Sequence, residues 1–209
     1  GLCKAELQEQ LGLAEDPVAP LFGVVARLTA QKGVGLMRAA LPAALDSTNL
    51  QLAVLGSGEA ADEEFFRWLA SAYPGRVGVE IGYSEDLSHR IQAGADFFLM
   101  PSLFEPCGLS QLYALRYGAL PVVHATGGLE DTVEQYNEAD GGGTGFKFHA
   151  PDGTRFLETI RWAVETWRER PTHITLMREW AMQQRFEWET SARRYVEIYR
   201  RVQARRAGG

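Results

Sequence analysis

Short apolar runs alternate with helix-length segments along most of the chain. The runs occupy residues 21–26, 50–55, 76–81, 96–100 and 120–123. Turn residues bound each run, which predicts a series of strands. Between them, apolar residues recur at helical spacing in residues 34–45, 60–72, 84–93 and 109–117. This alternation predicts an α/β fold, in which a Rossmann-like parallel sheet is flanked by helices.

Outside this alternation the pattern is mainly helical. A helix with a glycine stop is predicted at residues 4–13, and three more helices are predicted at residues 152–168, 172–184 and 188–204. The polar stretch at residues 134–145 holds three consecutive glycines and is predicted to be a mobile loop. Because the chain opens in a helix without an initiating Met, we expect it to be part of a larger protein.

Composition and charge narrow the classes of function. The chain of 209 residues has a formal net charge of -6. It can bury the core of one globular domain, and its acidity argues against nonspecific binding to nucleic acid or anionic membranes. No apolar run approaches the ~20 residues of a membrane span, and no signal pattern opens the chain, so we expect a cytoplasmic protein. Cys3 and Cys107 lack the spacing of a disulfide framework or a zinc site.

The turn at residues 101–111 is the most informative segment for function. It is rich in Pro and Gly, lies between a predicted strand and a predicted helix, and carries one carboxylate, Glu105. Ligands of parallel α/β sheets bind at the carboxyl ends of the strands. Glu105 is therefore a candidate catalytic residue.

Two cations follow the first predicted strand. Arg27 and Lys32 lie in a turn in which Gly33 precedes a helix. Together with amides at the start of that helix, they could neutralise a diphosphate. The competing interpretation is an ordinary solvated loop.

Three further turns carry weaker signals. Residues 56–61 match the glycine pattern of a dinucleotide-binding turn, with Glu80 downstream. Because this pattern follows the second strand rather than the first, we interpret it as a tight strand-to-helix turn. Tyr83 follows the third strand and could either stack on a nucleobase or pack half-buried. Residues 126–128 hold a glycine pair whose backbone could approach a ligand.

The four histidines lack the mutual spacing of a triad or a metal site and are predicted to be structural or exposed: His89, His124, His149 and His173.

Taken in order, these segments resemble bacterial glycogen synthase and plant starch synthase, which are retaining glycosyltransferases of the GT-B architecture. The matching motifs are Arg27-Leu28-Thr29-x-Gln31-Lys32-Gly33, Gly82-Tyr83, Ser88-His89-Arg90, Pro101-Ser102-x-Phe104-Glu105-Pro106-Cys107-Gly108-Leu109-x-Gln111-Leu112, Thr126-Gly127-Gly128-Leu129-x-Asp131-Thr132-Val133 and Thr144-Gly145-Phe146. The similarity extends from about residue 4 to residue 199.

The resemblance implies the C-terminal, donor-binding half of a GT-B enzyme. Residues 1–185 would form the Rossmann-like body, and residues 186–209 a crossover helix that returns to an N-terminal domain absent from this chain. The implied reaction transfers glucose from ADP-glucose to the non-reducing end of an α-1,4-glucan with retention. The implied partners are the nucleotide sugar, the glucan and the absent domain. Because that domain supplies a Lys-x-Gly-Gly loop and a catalytic-site His, the chain alone is expected to bind nucleotide without transferring glucose.

The resemblance also implies roles for single residues. Arg27 and Lys32 would neutralise the donor diphosphate, and Glu105 would face the glucosyl unit. Tyr83 would stack on adenine, and Ser110, with the amides that begin its helix, would bind the distal phosphate. The other implied donor contacts are Cys107, Gly108, Leu109, Thr126, Gly127 and Gly128. No cofactor is implied, and the lack of an Asp-x-Asp pair implies independence of metal ions.

Two positions depart from related sequences. Tyr113 stands where the wider superfamily often carries a second glutamate that contacts ribose, a departure that the synthase branch shares. His124-Ala125 stand before the Thr-Gly-Gly motif, where many relatives carry arginine, so the phosphate or acceptor contact of that arginine cannot be carried over.

Two alternative functions are also compatible with the sequence. One is an NAD-type dinucleotide-binding oxidoreductase domain that uses residues 56–61. The other is a noncatalytic module that binds nucleotide or glucan. The sequence does not decide between adenine and uracil as the donor base, and resemblance to bacterial relatives favours ADP-glucose.

Overall fold

The computed structural model describes residues 1–207, and the six strands in that range form one parallel sheet. The strands are β1 (Leu21–Leu28), β2 (Gln51–Gly58), β3 (Val77–Ile81), β4 (Phe97–Met100), β5 (Leu120–His124) and β6 (Phe146–Phe148). Their order across the sheet is β3-β2-β1-β4-β5-β6. The predicted Rossmann-like α/β fold is confirmed. The strand order reverses between β1 and β4, which is where open α/β sheets bind ligands.

Helices connect the strands and cover both faces of the sheet. They are α1 (Leu2–Gln10), α2 (Val34–Ser47), α3 (Ala60–Ala72), α4 (Glu85–Gly94), α5 (Ser110–Tyr117), α6 (Gly127–Thr132), α7 (Gly153–Glu169), α8 (Pro171–Gln183) and α9 (Trp188–Ala207), with a short 3₁₀ turn at Ala30–Lys32. Within residues 1–207, no helix has both the length and the apolar character needed to cross a bilayer.

Two apolar cores lie on opposite faces of the sheet. Side chains alternate between the faces along a strand, so Phe22 joins one core and its neighbour Leu21 joins the other. The first core includes residues of α2, α3 and α7, and the second includes residues of α1 and α4. Burial on both faces explains why the strands are continuous apolar runs.

The carboxyl edge of the sheet extends further than the sequence predicts. β1 continues to Leu28 and β2 to Gly58, so that Ala26 pairs with Gly56 and Leu28 with Gly58. The strand-to-helix turn predicted at residues 56–61 is confined to Glu59, because residues 56–58 belong to β2 and α3 begins at Ala60. A Cβ atom at Gly56 or Gly58 would collide with the backbone oxygen of Ala26 or Leu28. Glycine lets the two strand ends approach each other.

The glycine-rich stretch before β6 is packed into the body. Gly141 to Gly145 are all buried, and Tyr136 N–H donates to the Gly145 carbonyl at 2.8 Å. A Cβ atom at Gly143 would lie 2.5 Å from the Gln135 carbonyl oxygen. The glycines thus serve close packing, in place of the predicted mobile loop. The sequence pattern missed β6 because a strand of three residues is too short to show alternation.

The last helix, α9, is exposed along its described length. Residues 192–206 are all exposed, including the aromatic face formed by Tyr195 and Tyr199. An amphipathic helix packed on its own core would bury such a face. The role of α9 as a crossover helix stays a prediction.

Candidate functional site

Three loops interlock at the carboxyl edge of the sheet. They follow β1, β4 and β5 and comprise residues 29–33, 101–109 and 125–126 with the start of α6. Leu103 N–H donates to the Gln31 carbonyl at 2.9 Å, and Gly128 N–H donates to the Glu105 carbonyl at 2.9 Å. The loop that carries Glu105 is therefore held between the other two.

Three glycines make this contact between loops possible. A Cβ atom at Gly33 would collide with the Pro101 carbonyl, and Gly33 has φ 76°, in the left-handed region. Cβ atoms at Gly127 and Gly128 would collide with the carbonyls of Glu105 and Cys107. The predicted glycine pair therefore supports the backbone of the Glu105 loop.

A cation and a carboxylate meet at the centre of these loops. Lys32 Nζ lies 2.5 Å from Glu105 Oε2, and Ser102 Oγ donates to the same oxygen at 3.2 Å. Glu105 is buried, with 7% of its surface exposed. Among the residues that the structure describes, none donates a hydrogen bond to its other oxygen, Oε1. The site thus offers one carboxylate oxygen and one neighbouring ammonium group to a ligand.

A buried histidine, His124, contacts the backbone of Ser102, the residue that donates to Glu105. His124 Nδ1 lies 2.8 Å from the Ser102 carbonyl oxygen, and Nε2 lies 3.3 Å from that of His149. A carbonyl oxygen only accepts and a neutral imidazole carries one N–H, so a neutral His124 ring donates to one of these two carbonyls. His124 is thus structural, as the sequence predicts, but its contact with Ser102 was not predicted. No local sequence signal could have shown it, because the two residues are far apart in the chain.

A cavity of about 500 Å³ lies beside the interlocked loops. Arg27, Tyr83 and Ser110 line it, together with the ends of β1 and β2 and one face of α4. Tyr83 is 89% exposed, so the competing interpretation of a half-buried packing residue is wrong. Lys32 and Glu105 do not line the cavity. The predicted site residues therefore fall into two neighbouring groups, one around the cavity and one in the loops.

The start of α5 lies between the two groups. Gly108 has φ 73°, and Gln111 Nε2 fixes the turn by donating to the Cys107 and Gly108 carbonyls at 2.9 and 3.0 Å. No side chain caps the helix at Leu109, so the first amides of α5 are available to an anion. Cys107 and Leu109 are exposed beside these amides. Thr126, at the start of α6, is half-buried.

The glycine-rich end of β2 is already engaged by a carboxylate. Gly58 N–H donates to Glu63 Oε1 at 3.1 Å. This hydrogen bond, with the nearby Arg67 guanidinium, holds the pKa of the Glu63 carboxyl below its usual value. A dinucleotide pyrophosphate would have to displace an anionic group from the amide it needs. The geometry argues against a dinucleotide site at this position.

Among the described residues, no three His, Cys, Asp or Glu side chains lie close enough together to hold a metal ion. Independence of metal ions stays a prediction, because a metal could also be carried in by the substrate.

Comparison with known proteins identifies relatives of the whole chain. Glycogen synthase 1 of Geobacter metallireducens is 47% identical over 207 residues, which cover 99% of this chain and 41% of that protein. The glycogen synthase of Edwardsiella ictaluri is 49% identical over 202 residues, which cover 95% of this chain and 42% of that protein. The resemblance that the motifs predict is confirmed.

A solved structure extends the likeness to the fold. The catalytic domain of starch synthase IV from Arabidopsis thaliana, bound to ADP and acarbose, matches with a TM-score of 0.85 and 34% identity, over 96% of this chain and 42% of that chain. The chain thus spans about two fifths of the length of these relatives. The family of glycosyl transferases group 1 matches residues 4–175. The chain belongs to this family of glycosyltransferases.

Proposed function

We propose that the chain is the donor-binding domain of a glycogen synthase, which transfers glucose from ADP-glucose to the non-reducing end of an α-1,4-glucan with retention. The observation that carries this proposal is the Lys32–Glu105 pair beside the cavity lined by Arg27 and Tyr83. It lies where the strand order reverses, and the starch synthase IV structure similar to this chain is one bound to ADP.

The donor diphosphate would bind between Arg27, Lys32 and the start of α5. As the bond to glucose breaks, negative charge develops on the leaving nucleoside diphosphate. Fixed cations and helix amides stabilise such charge without reorganising at the moment of reaction. Ser110 can add a hydroxyl donor, because it lines the cavity at the first position of α5.

Glu105 would act on the sugar side of the same bond. A glucosyl group acquires oxocarbenium character in transfer, and a neighbouring carboxylate stabilises that positive charge. In the structure, Lys32 neutralises Glu105 through one oxygen. A diphosphate that attracts Lys32 would leave the carboxylate free for the sugar, so that donor binding prepares the site.

The acceptor is proposed to bind with the help of a second domain. The chain spans about two fifths of its relatives, and the aromatic face of α9 is exposed together with Phe186 and Trp188. An exposed apolar face of this kind is typical of an interface. We therefore expect the chain alone to bind nucleotide and to transfer no glucose.

Calorimetric titration of the chain with ADP, UDP and NADH tests the proposal. ADP is expected to bind, and both Tyr83→Ala and Lys32→Ala are expected to weaken it by about tenfold, the cost of one charge-assisted hydrogen bond or one stacked base. Arg90→Ala is the matched control, because Arg90 is exposed on α4 and does not line the cavity.

The outcomes separate the candidate functions. Binding of NADH alone would move the function to the end of β2 and overturn the proposal. Loss of ADP binding on addition of a chelator would contradict the proposed independence of metal ions. Transfer of glucose by the chain alone would overturn the expectation that a second domain is required.

A further inference from the structure

Gln92 is a buried amide without a protein partner. It lies on α4 with 3% of its surface exposed, and its Oε1 atom is buried with no hydrogen-bond partner among the described residues. An unpaired polar atom in such a position destabilises the folded chain, because it has lost its hydrogen bonds to water and gained none in return. An apolar residue of similar size would avoid this cost. A hydrogen bond to a bound ligand would explain why an amide occupies the position.

Gln92 lines the same cavity as Arg27 and Tyr83. Glu85, Ser88 and Gln92 also line it, and their spacing of three and four places them on one face of α4. Gln92 lies seven residues after Glu85, about 10 Å further along the helix axis at 1.5 Å per residue, and helical side chains lean back towards the start of their helix. Apolar Val25 and Leu55 contribute to the lining.

We propose that the Gln92 side chain hydrogen-bonds to the polar edge of the donor nucleobase and selects adenine. This inference rests on the proposed function, since it takes the cavity to be the donor site. A primary amide offers a donor and an acceptor side by side, which matches the N6 amino group and N7 of adenine. The two ends of an amide can exchange places by rotation, so either atom can face the ligand.

A hydrogen bond to the buried Gln92 amide can discriminate between nucleobases. A site that hydrogen-bonds a substrate group rejects an analogue that lacks the group, because the site's own polar atom is then left unpaired. Stacking on Tyr83 accepts any base. Gln92 therefore supplies the selectivity that the tyrosine cannot.

Titration with inosine diphosphate tests the inference, because this nucleotide replaces the amino group of adenine with an oxygen. The wild-type chain is expected to bind ADP about tenfold more tightly than IDP, as expected for one hydrogen bond lost. Gln92→Met removes the amide at nearly constant volume. It is expected to weaken ADP binding about tenfold and to abolish the preference, while the affinity for inorganic pyrophosphate is unchanged.

Two further variants serve as controls for the Gln92→Met substitution. Arg90→Met lies on the same helix outside the cavity lining and is expected to bind both nucleotides as the wild type does. Gln92→Glu keeps an acceptor for the amino group and repels the oxygen of IDP, so it is expected to keep or increase the preference for ADP. Thermal melting of each variant checks the fold.

The outcomes distinguish this inference from the proposed function. Unchanged ADP affinity in Gln92→Met, equal binding of ADP and IDP by the wild type, or a preference that survives in Gln92→Met would each overturn the role of Gln92 and leave the donor site in place. Failure of the wild-type chain to bind any nucleotide or pyrophosphate would overturn the donor site itself, and the role of Gln92 with it.

Discussion

Two carboxylates lie near opposite ends of β4, and their surroundings differ. Asp96 precedes the strand, and both of its oxygens are bound: Oδ2 by Lys4 at 2.7 Å and Oδ1 by Arg178 at 2.6 Å. Glu105 follows the strand, and only its Oε2 is bound, by Lys32 and Ser102. One carboxylate is saturated, whereas the other keeps an oxygen for a ligand.

The lysines differ in the same way. Lys4 Nζ also donates to the carbonyls of Ala19 at 2.6 Å and Pro17 at 3.2 Å, so it has no capacity to spare. Lys32 Nζ donates only to Glu105 among the described residues. A buried pair that is fully hydrogen-bonded holds the fold, while a pair with free capacity can exchange partners when an anion arrives. The number of hydrogen bonds already made, rather than burial or charge, distinguishes the structural Lys4–Asp96 pair from the Lys32–Glu105 pair, which we propose to act in transfer.

The largest expected effect is on the free energy of unfolding, at the Lys4–Asp96 pair. Asp96→Asn leaves Lys4 and Arg178 without a counter-charge, and breaking a buried ion pair in this way costs about 3–5 kcal/mol. The free energy of unfolding, from urea titration, measures it. The control is Asp86→Asn, whose exposed pair with Arg90 should contribute less than about 1 kcal/mol. Equal losses in the two variants would show that the Asp96 cluster is not structural.

The next largest effect is expected on the rate of glucose transfer, at the Lys32–Glu105 pair. In the full-length protein, Glu105→Gln is expected to lower glucose transfer about 100- to 1000-fold, the usual loss when one electrostatic stabiliser of a transition state is removed. The free energy of unfolding should fall by less than in Asp96→Asn, because Lys32 is more exposed than Lys4 and water can solvate its ammonium group once Glu105 is neutral. ADP affinity should not fall, because the variant frees Lys32 for the diphosphate. A loss of stability as large as that of Asp96→Asn, with transfer intact, would reverse the comparison.

A smaller effect is expected at the glycines beneath the Glu105 loop. Gly128→Ala places a Cβ against the Cys107 carbonyl, and overpacking of this kind costs about 1–3 kcal/mol. Gly35→Ala is the control, since nothing lies within 4 Å of its Cβ position on α2. Alanine there should stabilise the helix by about 0.5–1 kcal/mol. The two substitutions should therefore change the free energy of unfolding in opposite directions. Changes in the same direction would show that the Glu105 loop shifts to make room for the methyl group.

The smallest effect concerns a third carboxylate, Glu63, which is half-buried and whose Oε1 accepts from Gly58 N–H. Its pKa in the folded chain is lowered, so the folded state is stabilised above the unfolded pKa. That contribution is lost as the pH falls through the folded pKa. NMR titration of the Glu63 carboxyl should show the lowered pKa, and Arg67→Met, which removes the guanidinium, should leave most of the lowering in place, because the Gly58 amide is its larger cause. A return of the pKa to the ordinary value in Arg67→Met would exclude the amide as the main cause.

Much of the fold and part of the site follow from local sequence. Apolar runs and helical spacing predict the main strands and helices, and parallel strands bring Lys32, Glu105 and Gly128 to one edge. The sequence did not predict that Lys32 and Glu105 pair directly, nor that His124 holds Ser102. Such contacts depend on tertiary packing between distant segments, which periodicity does not encode.

Two misses have a more local cause. The glycines at residues 56–58 look like a turn, because isolated glycines usually interrupt strands, yet here they permit close pairing with β1. Gln92 was visible at helical spacing from Ser88, but only the cavity shows that its amide is unpartnered. A polar residue on a helix predicts exposure by default.

The most direct test of a donor site built on an unsaturated pair is a crystal structure of the chain with ADP bound. We expect the diphosphate to contact Lys32 Nζ and the first amides of α5, the Lys32–Glu105 pair to separate, and the Lys4–Asp96 pair to stay unchanged. ADP bound at the end of β2 beside Gly58, with Lys32 still paired to Glu105, would contradict a donor site at Lys32 and Glu105.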